Sequence, residues 1–93
     1  MKMRLDKYLK VSRIIKRRSI AKKIADQGRI LINDKVAKSS SDVREGDVLT
    51  IKFGNKTEKV KINRIIETTK KSEAEDMYEI LDISYAENFD DEF

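Results

Sequence analysis

The residues best able to do chemistry in this chain are cations, and they are concentrated near its beginning. The stretch KRRSIAKK, residues 16–23, puts five positive charges into eight residues. Between Lys7 and Ala25 the sequence contains no acid. Cations at this density attract a polyanion, and arginine guanidinium groups donate paired hydrogen bonds to phosphate oxygens. The pattern predicts a surface that binds a phosphate backbone.

The composition gives little support to catalysis or metal binding. The 93 residues include no His and no Cys, which removes the commonest general base, the commonest metal ligand and all thiolate chemistry. A nuclease would need an acid–base pair in the basic region. Asp6 is instead interpreted as a local ion-pair partner of Lys10, and Asp26 as a partner of Arg29 or Lys22. We therefore predict that the protein is not an enzyme and uses no metal and no cofactor.

The net charge of +4 hides a difference between two parts of the chain. Residues 1–64 hold 19 Lys and Arg against 7 Asp and Glu, a net charge of +12, whereas residues 65–93 hold 2 against 10, a net charge of −8. We predict a binding domain over 1–64 and a C-terminal extension over 65–93 with a short helix and an acidic tail. No apolar run approaches the roughly 20 residues of a membrane span, and no signal peptide is evident. A soluble, cytoplasmic protein that does not bind membranes is expected.

Two short helices should carry the cations. Leu5, Tyr8 and Leu9 recur at the spacing of one helical face. Ser19 is the predicted N-cap of a second helix, and Gly28 its terminating residue. The apolar stripe of that helix consists of Ile20, Ala21, Ile24 and Ala25.

From Arg29 onwards the apolar residues alternate with polar ones, which is typical of strands. Ile30 and Ile32 are followed by a turn at residues 33–34, and a second strand returns. The segment VLTIKF, residues 48–53, alternates again, and a last strand passes through residues 60–62. The predicted fold class is α+β, with short helices packed on a small, mostly antiparallel sheet.

A final helix is predicted near residues 73–82. Ser72 and Glu75 fit a capping box at its start. Its apolar stripe would consist of Met77, Ile80 and Leu81. After Ser84 the sequence reads YAENFDDEF, which we expect to fray because it offers little to bury.

Nine cations are predicted to form the binding surface once the two helices pack through their apolar stripes. They lie off those stripes or on the connection between the helices. They are Arg4, Lys7, Lys10, Arg13, Lys16, Arg17, Arg18, Lys22 and Lys23. A merely solvated face would mix charge signs at helical spacing, which this segment does not do. Because Tyr8 falls on an apolar face and KRRSIAKK has no aromatic residue, recognition of phosphates and shape is predicted rather than base stacking.

The order of short motifs resembles the alpha-L RNA-binding domain family over residues 4 to about 53. An Arg-Leu-Asp start is followed by a basic turn, Ser-x-Ala-Lys, Gly-Arg-Ile-x-Ile-Asn and Gly-Asp-x-Leu. These pieces are characteristic in combination. The short length, the run at residues 16–18 and the segment TTKKSEAEDMYEIL resemble most a stand-alone branch of this family that belongs to bacterial ribosome quality control.

The resemblance implies a non-catalytic factor that binds large ribosomal subunits carrying an obstructed peptidyl-tRNA. It implies contacts with that tRNA and with large-subunit rRNA. With the partner RqcH, such a factor supports template-free alanine tailing of the stalled chain in the cytoplasm. It places the two most important arginines at Arg4 and Arg18, and a monomer is expected. The chain departs from the family by two residues before the usual start at Met3 and by its acidic end.

Other interpretations stay open at this point. A heat-shock-type alpha-L protein that rescues dissociated large subunits would favour a basic C-terminal extension, and a general rRNA- or DNA-binding module would show no ribosomal preference. A helix-turn-helix protein would place a recognition helix after SIAKKIADQGRI, where ILINDKVAK alternates like a strand. A helix that binds membrane surfaces would need Trp, Phe or Leu on its apolar face.

Overall fold

Short helices and antiparallel strands make up the fold, which confirms the predicted α+β class. The computed structural model describes residues 2–67 and 70–85. The elements in this part of the chain are β1 (Lys2–Arg4), α1 (Leu5–Val11), α2 (Arg18–Asp26), β2 (Ile30–Ile32), β3 (Lys35–Val36), β4 (Asp42–Arg44), β5 (Val48–Phe53), β6 (Lys56–Ile62), α3 (Lys71–Glu75) and β7 (Tyr78–Tyr85). No helix in these two ranges is long and apolar enough to cross a membrane.

The main sheet has the strand order β3-β2-β5-β6-β7, and every neighbouring pair is antiparallel. The turn between β2 and β3 is the predicted one: Asn33 and Asp34 have φ of 51° and 70°, as a tight type I′ hairpin requires. β1 and β4 form a separate ribbon in which Met3 pairs with Val43, and both are buried. The sequence prediction lacks this ribbon because each strand has three residues and its partner lies far along the chain.

One core joins the helices to one face of the main sheet. From α1 it takes Leu5, Tyr8 and Leu9, each fully buried as their spacing predicts. The sheet contributes Ile30, Leu49, Ile51, Val60 and Ile62, also fully buried. The alternation of the strands therefore defines a core face of the sheet and an opposite, outer face.

Helix α2 differs from its prediction at its start and along its apolar stripe. It begins at Arg18 after an extended Arg17, and no side chain caps it, so the prediction of Ser19 as N-cap is wrong. Ala21 and Ala25 are buried, whereas Ile20 is 43% exposed. Because α1 and α2 pack directly against each other, the small alanines allow close approach of the two helices.

The prediction of a helix over residues 73–82 is also wrong. Helix α3 ends at Glu75 and follows Lys70 without a side-chain cap, so the capping box does not form. Residues 78–85 are instead the edge strand β7, paired along the length of β6. Pairing with β6 satisfies the backbone groups of this segment that face β6, and its β-branched and aromatic residues suit a strand. The sheet thus includes part of the predicted extension, and the boundary at residue 64 stays a prediction. The acidic residues 86–93, predicted to fray, lie outside the described residues.

Tyr8 ties α1 to the chain segment before β7. Its buried hydroxyl donates a hydrogen bond of 2.9 Å to the carbonyl oxygen of Met77. The backbone N–H groups of Asn63 and Arg64 donate to the same oxygen at 2.8 and 3.1 Å. Burial raises the pKa of Tyr8 far above its ordinary value, so the hydroxyl remains a donor throughout the physiological range.

Replacing Tyr8 by phenylalanine should lower the free energy of unfolding by about 1 to 2 kcal/mol, because the ring stays packed while one buried hydrogen bond is lost. Urea denaturation followed by circular dichroism measures the change. The matched control is Tyr85→Phe, at a side chain that is 65% exposed, and it should leave stability unchanged. An equal loss in both variants would contradict the role given to the Tyr8 hydroxyl.

Candidate RNA-binding surface

A buried carboxylate organises the centre of the basic region. Asp6 is 3% exposed and lies in the first turn of α1. Its Oδ1 accepts hydrogen bonds from Nε of Arg4 at 3.2 Å and from Nη2 of Arg18 at 3.4 Å, and its Oδ2 accepts from Nη2 of Arg4 at 3.2 Å. The backbone N–H of Lys7 donates to Oδ1 at 2.8 Å. One acid thus holds two arginines from different elements.

The charge state of Asp6 follows from these contacts. Burial raises the pKa of the carboxyl, but hydrogen bonds from Arg4 and then Arg18, with the Lys7 backbone N–H, outweigh burial and hold the pKa below its ordinary value. The positive end of the α1 dipole also favours the anion at this position. Asp6 is therefore a carboxylate at neutral pH and fixes the two guanidinium groups.

Both arginines remain available to a ligand. Their side chains are 49% exposed for Arg4 and 48% exposed for Arg18. A guanidinium group has five N–H donors in a planar fork. Arg4 engages Asp6 through two of its nitrogens and Arg18 through one, so each group keeps further donors that can reach phosphate oxygens.

The structure places the other predicted cations around these helices. Lys10, Lys16, Arg17, Lys22 and Lys23 are exposed. Lys7 is partly buried and its Nζ donates to Oε1 of Glu67, which lowers the pKa of that carboxyl. Among the nine predicted cations, the side chains of Arg4 and Arg18 meet at Asp6. A binding role for the whole set stays a prediction.

The main partners of the two acids in the basic region differ from those expected, although the charge of Lys22 does lie near Asp26. Asp6 pairs with Arg4 and Arg18, so the pairing with Lys10 is wrong. Asp26 accepts a hydrogen bond of 3.1 Å from the backbone N–H of buried Ser39. Its pKa is lowered mainly by Ser39 and, less strongly, by the nearby charge of Lys22. Asp26 therefore joins α2 to the chain before β4.

Sequence reasoning missed the organising role of Asp6. The available signal was the Arg-Leu-Asp spacing, which puts an acid into the first helical turn two residues after an arginine. The contact with Arg18 lies twelve residues away in sequence. Local spacing favours a partner one turn along the helix, and only the packing of α2 on α1 supplies the second arginine.

Arg13 occupies a strained backbone position after α1. Its φ is 65°, in the left-handed region that glycine usually fills at a helix C-terminus. Its N–H donates to the carbonyl oxygen of Lys10 at 3.1 Å. An arginine kept where glycine would be more stable suggests a role for the side chain other than folding.

Replacing Arg13 by glycine should raise the free energy of unfolding by about 1 kcal/mol, because the left-handed strain is relieved. The same change should weaken RNA binding, because a cation is lost from the basic region. Arg13→Ala is the matched control: it removes the same charge, keeps the strain and should not gain stability. Thermal denaturation and RNA titration of the three proteins measure both effects, and equal stability of the two variants would refute the strain argument.

Comparison with known proteins identifies the family to which the chain belongs. The S4 domain profile matches residues 3–49, which contain most of β1, all of α1 and α2, and the Arg4–Asp6–Arg18 contacts. A protein named RQC P-site tRNA stabilizing factor from Bacillus subtilis is 62% identical over 79 residues, covering 85% of this chain and 92% of that protein. The chain belongs to this S4 domain family. A Streptococcus pneumoniae protein of the same name is 57% identical over 79 residues, covering 85% of this chain and 90% of that protein.

The S4 domain is the alpha-L RNA-binding domain of the sequence prediction, which is thereby confirmed. A solved structure described as trimeric Heat Shock Protein 15 of Vibrio cholerae has a TM-score of 0.78 and 30% identity, covering 86% of this chain and 82% of that one. The fold shared with that structure therefore covers most of the chain, whereas the S4 profile matches residues 3–49.

Proposed function

We propose that this chain is a non-catalytic RNA-binding factor of ribosome quality control that binds the tRNA in the P site. The observation that carries the proposal is the pair of exposed arginines held by buried Asp6. The name of the Bacillus subtilis relative, 62% identical, supplies the ligand and the process. Arginines fixed in this way suit the phosphates of a folded RNA.

The proposed chemistry is recognition of the RNA backbone without base reading. Arg4 and Arg18 donate paired hydrogen bonds to phosphate oxygens, and the surrounding lysines add charge. Tyr8 is fully buried, so it is not available as a stacking platform. Binding then depends on the spacing of phosphates in a folded tRNA, and the sequence of the tRNA matters little.

The finer proposal is that the bound tRNA is an obstructed peptidyl-tRNA on a large ribosomal subunit. The chain also contacts large-subunit rRNA, acts as a monomer in the cytoplasm, and supports alanine tailing together with RqcH. The family resemblance supports these features. A tRNA held in the P site keeps the stalled chain in place while successive alanines are added.

Recovery of the tagged protein from cells tests the proposal. Sequencing of the associated RNA and a gel of intact peptidyl-tRNA should find large subunits enriched in peptidyl-tRNA, and immunoblotting should find RqcH. Recovery of free DNA or of translating ribosomes with both subunits would overturn it. Light scattering of the purified chain tests whether it is a monomer. The mass of a trimer would contradict the proposed monomer and leave the RNA-binding proposal intact.

A heat-shock-type function is the second candidate, and the structural match to Heat Shock Protein 15 supports it. That match has 30% identity, whereas the identity to the Bacillus subtilis relative is 62%. Induction after heat shock distinguishes the two. The heat-shock candidate requires more protein on large subunits after heating, while the quality-control proposal requires more after ribosome stalling.

Binding to structured RNA should weaken steeply as salt increases. A protein that makes about five phosphate contacts on duplex-like RNA should give a slope of about −4 in a plot of log affinity against log salt. Fluorescence anisotropy with a labelled tRNA at several KCl concentrations measures the slope. A flat response would show that the basic region is not the binding surface.

A further inference from the structure

The outer face of the main sheet carries a second group of cations. Leu49 and Ile51 are buried on the core face. Thr50, which lies between them, and Lys52, which follows Ile51, therefore point to the outer face. Lys59 lies opposite Thr50 in the sheet register. The backbone N–H of Lys52 donates to the carbonyl oxygen of Arg29 at 2.9 Å. The outer-face cations are Arg29, Lys52, Lys59 and Lys61.

These four side chains are available to a ligand. Arg29, Lys52 and Lys61 are exposed, and Lys59 is partly exposed. Within residues 2–67 and 70–85, none of the four has an ion-pair partner. Neighbouring cations that form no ion pairs are expected where an anion binds.

The acids of the outer face are confined to one edge. Glu79 and Asp82 of β7 lie opposite Lys61 and Lys59. On this face, the described strands β2, β3, β5 and β6 carry no acid, since Glu58 lies opposite Ile51 on the core face. The cationic area is therefore bounded by β7 and extends over the central strands.

The chemistry of this face suits a nucleic-acid backbone better than a protein. Lysines two apart on a strand are separated by about 6.5 Å, and neighbouring strands by about 4.8 Å, so several cations can follow a row of phosphates. The hydroxyls of Thr50, Thr57 and Ser84 share the face and can bond to phosphates and ribose. Phe53 and Tyr85 fall on the core face, whereas protein interfaces are enriched in aromatic residues and depleted of lysine.

We propose that this outer face binds the backbone of a second RNA segment, separate from the RNA bound at Arg4 and Arg18. The inference deepens the proposed function and rests on it for the nature of the ligand. Helices α1 and α2 share the core with the opposite face of the sheet. The two RNA surfaces therefore lie on opposite sides of the sheet, and the chain bridges two RNA segments.

The test uses the full chain with two RNA hairpins, one immobilised and one fluorescent, so that protein-dependent capture of the fluorescent hairpin reports bridging. The outer-face variant carries Lys52→Gln, Lys59→Gln and Lys61→Gln. The control variant carries Lys2→Gln, Lys35→Gln and Lys71→Gln, which removes the same charge from exposed positions elsewhere. Circular dichroism confirms that each protein is folded.

The outer-face variant should lose bridging while it still binds a single hairpin through Arg4 and Arg18. Its log–log salt slope should be shallower by about 2 to 3 than that of the unmodified chain, since three lysine contacts are removed. The control variant should retain bridging. A variant with Glu79→Gln and Asp82→Asn should bind RNA more tightly, because it removes the acids that border the face.

Equal bridging and equal slopes in the outer-face and control variants would overturn the inference and leave the proposed function intact. Normal RNA bridging with loss of large-subunit binding would assign the face to an acidic ribosomal protein and also overturn it. If the unmodified chain bound no RNA, the proposed function itself would fail.

Discussion

Replacing Arg4 and Arg18 together by alanine should abolish co-sedimentation with large ribosomal subunits. The chain should stay folded but with a lower free energy of unfolding, because buried Asp6 loses both ion-pair partners. Each arginine offers charge-assisted hydrogen bonds worth about 1.5 to 3 kcal/mol, so the double change should reduce affinity by at least about a hundredfold. Both side chains are half exposed, and neither belongs to the core. Sucrose-gradient sedimentation measures binding, and alanine tailing in cells measures function.

The single variants separate charge from geometry. Arg18→Lys keeps the charge and loses the planar fork, so it should bind nearly as weakly as Arg18→Ala. Arg18 is the first residue of α2, where no side chain caps the helix, and its guanidinium group contacts buried Asp6. Its loss should therefore change the free energy of unfolding by less than about 1 kcal/mol, the small helix-dipole gain being offset by the lost pair. Lys71→Ala on α3 is the charge-matched control and should bind RNA normally. Equal losses of binding in Lys71→Ala and Arg18→Ala would show that Arg18 contributes only its net charge.

Replacing Asp6 by asparagine should lower both stability and RNA affinity. The variant leaves two guanidinium groups facing a neutral amide in a buried position, which should cost about 1 to 3 kcal/mol. The net charge becomes more positive, so electrostatic attraction alone would tighten RNA binding. Weaker binding is expected because Arg4 and Arg18 lose their anchor. Tighter binding would show that Asp6 does not position them.

The stability loss in the Asp6→Asn protein should depend on pH. Because the folded-state pKa of Asp6 lies below its ordinary value, the carboxylate stabilises the fold fully above about pH 4. That contribution is lost as the pH falls through the folded-state pKa. Thermal melts should therefore show a large difference between the two proteins at pH 7 that shrinks in acid. Asp42→Asn, at an exposed acid 3.6 Å from Lys2, should change stability little at any pH.

The sequence alone determined the class of ligand and most of the strands. Charge is a property of composition, so the concentration of cations before Ala25 predicts a polyanion without any knowledge of the fold. The alternation through residues 48–53 and the Asn33-Asp34 turn are local signals, and both predictions are confirmed. The order of motifs also predicted the S4 domain, whose profile matches residues 3–49.

The sequence was misleading where a local pattern suits two structures. The residues Met77, Ile80 and Leu81 fit a helical stripe, yet β6 offers an unpaired edge to which residues 78–85 bind as a strand. Ile20 fits the stripe of α2 but is displaced from the core because Ala21 and Ala25 make the close contact with α1. Such choices depend on which surface is available, and that surface is made by distant parts of the chain.

Only the tertiary structure showed that Arg4 and Arg18, the two arginines that the family resemblance had singled out, meet at one acid. Arg4 and Arg18 lie in different elements, and their meeting at Asp6 requires the packing of α2 on α1. The separation of the outer-face lysines from this cluster likewise follows from strand register. Long-range contacts of this kind leave no periodic trace in the sequence, because the residues involved are joined by burial and charge rather than by spacing along one helix or strand.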